Sequence, residues 1–113
     1  MDKLDQIVDY QILFYDIYIM DFIKPLPNII TIYTKTNCPR CDDLKILIKK
    51  NNINVFFVNC DDYLNDDDTI DKFETFLKEL GYDNTMFPFI YDEKPIKYKF
   101  FYDKLNAFTN ISI

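Results

Sequence analysis

Histidine is absent from the 113-residue sequence, glycine occurs once and cysteine three times. Without histidine and with only three thiols, a zinc site of the four-cysteine or two-cysteine, two-histidine type held by one chain is excluded. A cluster shared between two copies stays open. Basic residues are also in deficit, with 13 Lys and Arg against 19 Asp and Glu, a net charge of −6 and a pI near 4.5. That balance argues against nucleic acid or an anionic membrane as the main partner, because phosphate binding needs clustered cations. Long apolar runs are missing too. The most apolar N-terminal stretch, ILFYDIYIM (12–20), is interrupted by Asp16 and falls far short of the roughly 20 residues that cross a bilayer. The start, MDKLDQIVDY, lacks the basic, apolar, small-residue order of a secretory leader. An odd number of cysteines without such a leader fits a reducing compartment, so a cytoplasmic location is expected.

What is present is enough for a core. Apolar residues make up 49% and aromatics 18% of the chain, which excludes disorder and is consistent with one domain over residues 1–113. The wealth of Ile, Asn, Asp, Lys, Phe and Tyr beside a single Gly has the look of an AT-rich coding bias. A large DNA virus or an AT-rich microbe would show it, and a viral protein would sit in host cytoplasm or virion. The acidic runs at 61–62 and 66–68 read as solvated faces and helix starts rather than sites.

The order of elements follows from periodicity. Residues 1–24 predict an added N-terminal amphipathic helix, stopped by the prolines of KPLPN (24–28). IITIYT (29–34) predicts a strand buried on both faces, and Cys41, Leu44, Leu47 and Ile48 recur at helical spacing after it. INVFFVN (53–59) predicts a second strand. NDDDTI then opens a helix with Ile70, Phe73, Phe76, Leu77 and Leu80 on one face, closed by Gly81 as a left-handed cap. FPFIYD (87–92) and PIKYKF (95–100) predict a hairpin across EK, before a short closing helix carrying Phe101, Leu105 and Phe108. A strand, crossover helix and strand in sequence should be parallel and right-handed. Adding the hairpin predicts an α/β fold with a four-stranded mixed sheet flanked by helices.

Chemistry concentrates in IYTKTNCPRCDDL (32–44). Cys38 falls between the end of a strand and the start of a helix, where free N–H groups and the helix dipole favour a thiolate, the nucleophile of disulfide exchange. Pro39 suits the first helical position. Lys35 and Arg40 add positive charge, which Asp42 and Asp43 partly oppose. Cys41, one turn on, can close a disulfide with Cys38. Redox exchange is the reading favoured, against a structural or interaction role and against metal or iron–sulfur ligation. Cys60, ending the second strand, should emerge at the same sheet edge; a small semi-buried residue is favoured over a third exchanging thiol. Tyr91, Tyr98, Phe100, Phe101 and Tyr102 are too many for a short hairpin to bury and predict an exposed patch for a protein partner or a dimer face.

IYTKTNCPRC is similar to the active-site segment of the glutaredoxins, and the element order over residues 29–109 resembles their thioredoxin-like fold. The resemblance implies a thiol–disulfide oxidoreductase in which Cys38 attacks and Cys41 resolves. Lys35 matches a lysine often found upstream, and Arg40 stands where Tyr or Phe is common. Pro88 in MFPF takes the place of the family's cis-proline, with the backbone of Phe87 facing the substrate. With Pro39, these residues form the implied substrate site. Glutaredoxins usually carry Thr-Val before that proline and a Gly-Gly pair after the fourth strand; this chain has Met86-Phe87 and no glycine in IKYKFFYDKL. Lys97 or Lys99 is a candidate replacement as charge partner. Protein dithiols and disulfides are therefore the expected substrates, with glutathione as alternative reductant or substrate. No cofactor is required, and a monomer or weak homodimer is expected.

Overall fold

The computed structural model describes residues 22–111, with side chains through residue 109. The elements are β1 (Ile30–Thr34), α1 (Pro39–Lys50), β2 (Val55–Asn59), a 3₁₀ turn (Asp61–Leu64), α2 (Asp67–Leu80), β3 (Phe89–Tyr91), β4 (Pro95–Ile96) and α3 (Tyr98–Ile111). The sheet order is β2-β1-β3-β4. β1 runs parallel to β2, from Ile30 opposite Val55 to Thr34 opposite Asn59, and antiparallel to β3. β4 pairs antiparallel with β3 at the edge.

Alternation along the central strands makes two cores. In β1, Ile32 and Tyr33 are both fully buried but point to opposite faces. Ile32 packs with Ile90 of β3 and with Leu44, Leu47, Ile48 and Leu105 of α1 and α3. Tyr33 packs with Phe89 of β3 and with Val58, Tyr63, Phe73 and Leu77 on the α2 side. A central strand covered on both faces tolerates no unpaired charge, which is why IITIYT has none, and its buried Thr31 and Thr34 hydroxyls are hydrogen-bonded, to Leu26 N–H and Val58 O. Phe22 adds to the α2 side, its ring 4.8 Å from Tyr63 and 5.4 Å from Phe73. Tyr33 and Tyr63 also grip the entering backbone: the Tyr33 hydroxyl donates to Ile23 O at 2.7 Å, and Ile23 N–H donates to the Tyr63 hydroxyl at 3.2 Å.

The helices start and stop for local reasons. Cys38 caps α1 and Pro39 follows in its first turn, while Lys49 and Lys50 complement the dipole at its end. Asn51 closes α1, and its side-chain amide donates to Leu47 O (2.8 Å) and to Thr109 Oγ1 (2.7 Å) of α3. Asp66 caps α2 by accepting Thr69 N–H at 2.9 Å. Gly81 ends it at φ 109°, with Gly81 N–H to Lys78 O and Tyr82 N–H to Leu77 O, both 3.0 Å. That bonding pattern needs a left-handed residue after the helix. A Cβ there would also stand 3.0 Å from Pro95 Cγ. Among the described residues, Asn28, Asn37, Asn52 and Glu93 also have positive φ.

Two expectations are corrected. The strand expected over 95–100 stops at Ile96, and residues 98–111 form a helix longer than the short one anticipated. Tyr98, Phe101, Tyr102 and Leu105 stand at helical spacing and pack toward the Ile32 core. The alternation of KYKF imitates a strand, but its two aromatics serve different faces of a helix. The same geometry divides the expected aromatic patch: Phe100 is 62% exposed, whereas Tyr91, Tyr98, Phe101 and Tyr102 are half-buried. The N-terminal helix assigned to 1–24 lies outside the described residues except at 22–24, which are irregular.

Candidate active site

The two cysteines sit where β1 hands over to α1. Thr34 ends the strand, Lys35 to Asn37 form a bend with Asn37 at φ 58°, and Cys38 is extended at the helix N-cap. The sulfurs of Cys38 and Cys41 are bonded, with their Cα atoms 5.2 Å apart. Cys41 N–H donates to Cys38 Sγ at 3.2 Å. In the reduced protein this donor stabilises negative charge on Cys38, because a hydrogen bond to the charged form favours it. The two thiols differ in access: Cys38 keeps 6% of its surface in solvent and Cys41 none.

The bend is held from across the sheet. Asp61, just past β2, accepts Thr36 N–H on Oδ1 at 2.9 Å and the Thr36 hydroxyl on Oδ2. Those bonds from Thr36, with Lys35 adding a smaller attraction, hold the Asp61 carboxyl below its ordinary value. Neither Thr36 nor Asp61 was among the expected site residues. A signal existed: Thr34 pairs with Asn59, so in-register parallel strands bring positions 36 and 61, each two beyond its strand end, together.

The segment before β3 closes on the cysteine loop from two sides. The Phe87–Pro88 peptide is cis, and Pro88 is buried at the entry to β3. Lys35 Nζ lies 5.9 Å from the centroid of the Phe87 ring, which also meets Phe89 at 4.9 Å. Arg40 Nη1 donates to Met86 Sδ at 3.9 Å, and the Arg40 guanidinium carbon lies 4.1 Å over the Tyr98 ring. Burial raises the Tyr98 hydroxyl above its ordinary value, and Arg40 works in the opposite direction. Lys35 and Arg40, which flank the cysteines in sequence, are thus brought against the 86–88 segment that holds Phe87 and Pro88, and Pro39 stands exposed between the cysteines in the first turn of α1. Met86 and Tyr98 join them. The expected charge partners Lys97 and Lys99 are exposed at the start of α3, and Lys99 is engaged with Asp103 at 2.8 Å.

Cys60 does not join the site. It is fully buried, directs its thiol toward Val58 O at 3.7 Å, and is pushed up to about 12 by burial and by the neighbouring Asp61 carboxylate. Among the described residues no group of three or more His, Cys, Asp or Glu could hold a metal, and no helix is long and apolar enough to cross a membrane.

A four-stranded mixed sheet flanked by three helices, with a Cys-x-x-Cys at the first helix start and a cis-proline entering the third strand, defines a thioredoxin-like fold. The glutaredoxin family profile matches residues 30–96, more than half of the chain, and the chain belongs to the glutaredoxin family. Among solved structures, glutaredoxin 1 from Francisella tularensis, crystallised in complex with cacodylate, is similar at 24% identity and a TM-score of 0.53. The match covers 74% of this chain and 96% of that one, and it supports the fold. No curated protein sequence matches the chain. Family membership and the cysteine pair together support thiol–disulfide oxidoreductase activity.

Proposed function

We propose that this protein, acting as a single domain, exchanges disulfides with protein partners in a reducing compartment, with Cys38 as nucleophile and Cys41 as resolving thiol. The observation that carries this reading is the asymmetry of the pair: Cys38 caps a helix and reaches solvent, while Cys41 is sealed beneath it. The Cys38 thiolate attacks one sulfur of a substrate disulfide. A Cys38–substrate bond forms, the substrate S–S bond breaks, and the departing sulfur leaves with the electron pair and takes a proton from water. Cys41 then loses its proton and attacks Cys38 Sγ, releasing the second substrate sulfur. The substrate gains two electrons and two protons, and the protein is left with the Cys38–Cys41 bond. Lys35 and Arg40 flank the developing charge. The backbone of Phe87, fixed by Pro88, is the surface along which the substrate chain lies.

Reduced Cys41→Ser protein should accumulate mixed disulfides with partners, and Cys38→Ser should form none. Reduction of insulin disulfides by Cys38→Ser at the wild-type rate would sink the assignment.

Glutaredoxins use glutathione as reductant, and a glutathione-dependent thioltransferase is the second reading. Lys97 and the half-buried Tyr98, lying under Arg40, weigh against close approach of a small peptide backbone there. Turnover with glutathione as sole reductant would favour this second reading.

A further inference from the structure

A cleft of about 950 Å³ opens beside the cysteine loop, between the segment 81–86, the edge strand β4 and the start of α3. Arg40, Met86 and Pro88 belong to its wall, so it begins where the proposed substrate path ends. Its charge reverses that of the chain. Four cations, Arg40, Lys94, Lys97 and Lys99, line it against two carboxylates, Asp83 and Asp103. The protein as a whole carries 13 cations against 19 carboxylates. The Lys99–Asp103 pair cancels itself at 2.8 Å. Lys94 and Lys97 are exposed and have no carboxylate partner among the described residues. Arg40 keeps a buried Nε with no hydrogen-bond partner there either.

We infer that this cleft receives an acidic stretch of the protein substrate next to its target cysteine. The inference rests on the disulfide-exchange reading above and adds to it the chemistry of the partner. A volume of about 950 Å³ is at the upper end of the range of small-molecule sites, which is room for a few residues of extended chain. Met86, 60% exposed, and the Tyr98 ring supply apolar contact beside the lysines. Recognition there falls to side chains rather than to strand addition, because β4 is two residues long and its Pro95 has no N–H to donate. Charge complementarity selects the occupant. The net charge of −6 repels acidic chains at long range, whereas within a Debye length of the cleft the uncompensated lysines attract them.

Local and overall charge therefore predict opposite preferences, and one experiment separates them. Reduced Cys41→Ser protein is mixed with three peptides that each carry one cysteine joined to thionitrobenzoate, flanked by glutamates, serines or lysines. Attack of the Cys38 thiolate on the peptide sulfur forms the mixed disulfide and expels thionitrobenzoate anion, read by its yellow absorbance. The glutamate peptide should react about fivefold faster than the lysine peptide, the size that a few solvent-screened charge pairs produce. The advantage should vanish near ~1 M salt, where the Debye length is about 3 Å. Lys94→Glu/Lys97→Glu should reverse the order, and Lys94→Gln/Lys97→Gln should level it. Equal rates, a preference for lysine, or an order unchanged in both double variants overturns the inference. Equal inhibition of all three peptides by S-methylglutathione, with no charge preference, assigns the cleft to glutathione and overturns it as well. Failure of every peptide to release thionitrobenzoate sinks the exchange reading itself, a result distinguishable from loss of preference alone.

Discussion

Two cysteines follow two parallel strands that end in register, yet they meet opposite fates. β1 and β2 finish side by side at Thr34 and Asn59. Beyond β1 the chain bends into a twelve-residue helix, and Cys38 caps it with Cys41 N–H directed at its sulfur. Beyond β2 it turns at once into a 3₁₀ turn of four residues, and Cys60 stands at its start with no side-chain capping bond and an aspartate next in line. Cations flank Cys38; a carboxylate flanks Cys60. Burial finishes the contrast, leaving Cys60 pushed up to about 12. What makes a thiol usable is thus the element it begins and the charge of its neighbours, more than the sheet edge from which it emerges.

The largest expected effect breaks the pair of cases apart. Cys38→Ser should lower disulfide reduction by at least about 10³-fold, since the proposed mechanism then lacks its nucleophile. Cys60→Ser should stay within about twofold of wild type, because a protonated, buried thiol does not take part. Insulin reduction measured on both variants checks this, and comparable losses would mean that the two sites are coupled.

The buried thiol of Cys60 also makes stability depend on pH. The folded state holds the thiol protonated to about 12, whereas the unfolded chain ionises near its ordinary value of 9.0. Above that value the unfolded state binds fewer protons, so stability falls as pH rises, by up to about 1.4 kcal/mol per unit. Buried Tyr33 and Tyr82, also raised by desolvation, act in the same direction at still higher pH. Urea unfolding at pH 8 and pH 10 should show Cys60→Ala losing about 1 kcal/mol less than wild type across that interval. A parallel loss in both would remove Cys60 from the alkaline transition.

Two smaller effects sharpen the contrast. Asp42 lies in the first turn of α1, where its charge opposes a thiolate. In the reduced protein, Asp42→Asn should raise alkylation of Cys38 by iodoacetamide at pH 6 about twofold. Asp61 serves both cysteines, holding Thr36 before one and opposing ionisation of the other. Because its folded carboxyl is lowered, its hold on Thr36 is present above the unfolded value and is lost as pH falls through the folded one. The protection of the Thr36 amide against hydrogen exchange, taken relative to the intrinsic rate at each pH, should fall on acidification in wild type. Asp61→Asn should exchange faster already at pH 6, by about threefold.

Features fixed by neighbours in sequence were legible beforehand. The strand, cysteine pair and helix start of residues 29–50 depend on local capping and on Pro39, and Gly81 announced the end of α2. The sequence favours Cys60 as a small semi-buried residue, and the structure buries it fully. The hidden features depend on distant partners. KYKF alternates like a strand, and only the packing of Tyr98 under Arg40 and against Tyr102 makes it the first turn of a helix. The Thr36–Asp61 bonds join residues 25 positions apart. The electrostatics of the cleft needed the hairpin and α3 in place before Lys94 and Lys97 could be seen to converge with Arg40.

The left-handed corners at Asn28, Asn37, Asn52 and Glu93 have a consequence for how this protein could be improved. A chain with one glycine turns its corners with side-chain-bearing residues, and asparagine tolerates that conformation far better than glutamate. Glu93, at the tip of the hairpin and remote in sequence from the cysteines, therefore marks evolutionary headroom. Glycine there should raise stability by about 0.5–1 kcal/mol without touching exchange. That corner is the natural first address for anyone seeking a sturdier form of the protein.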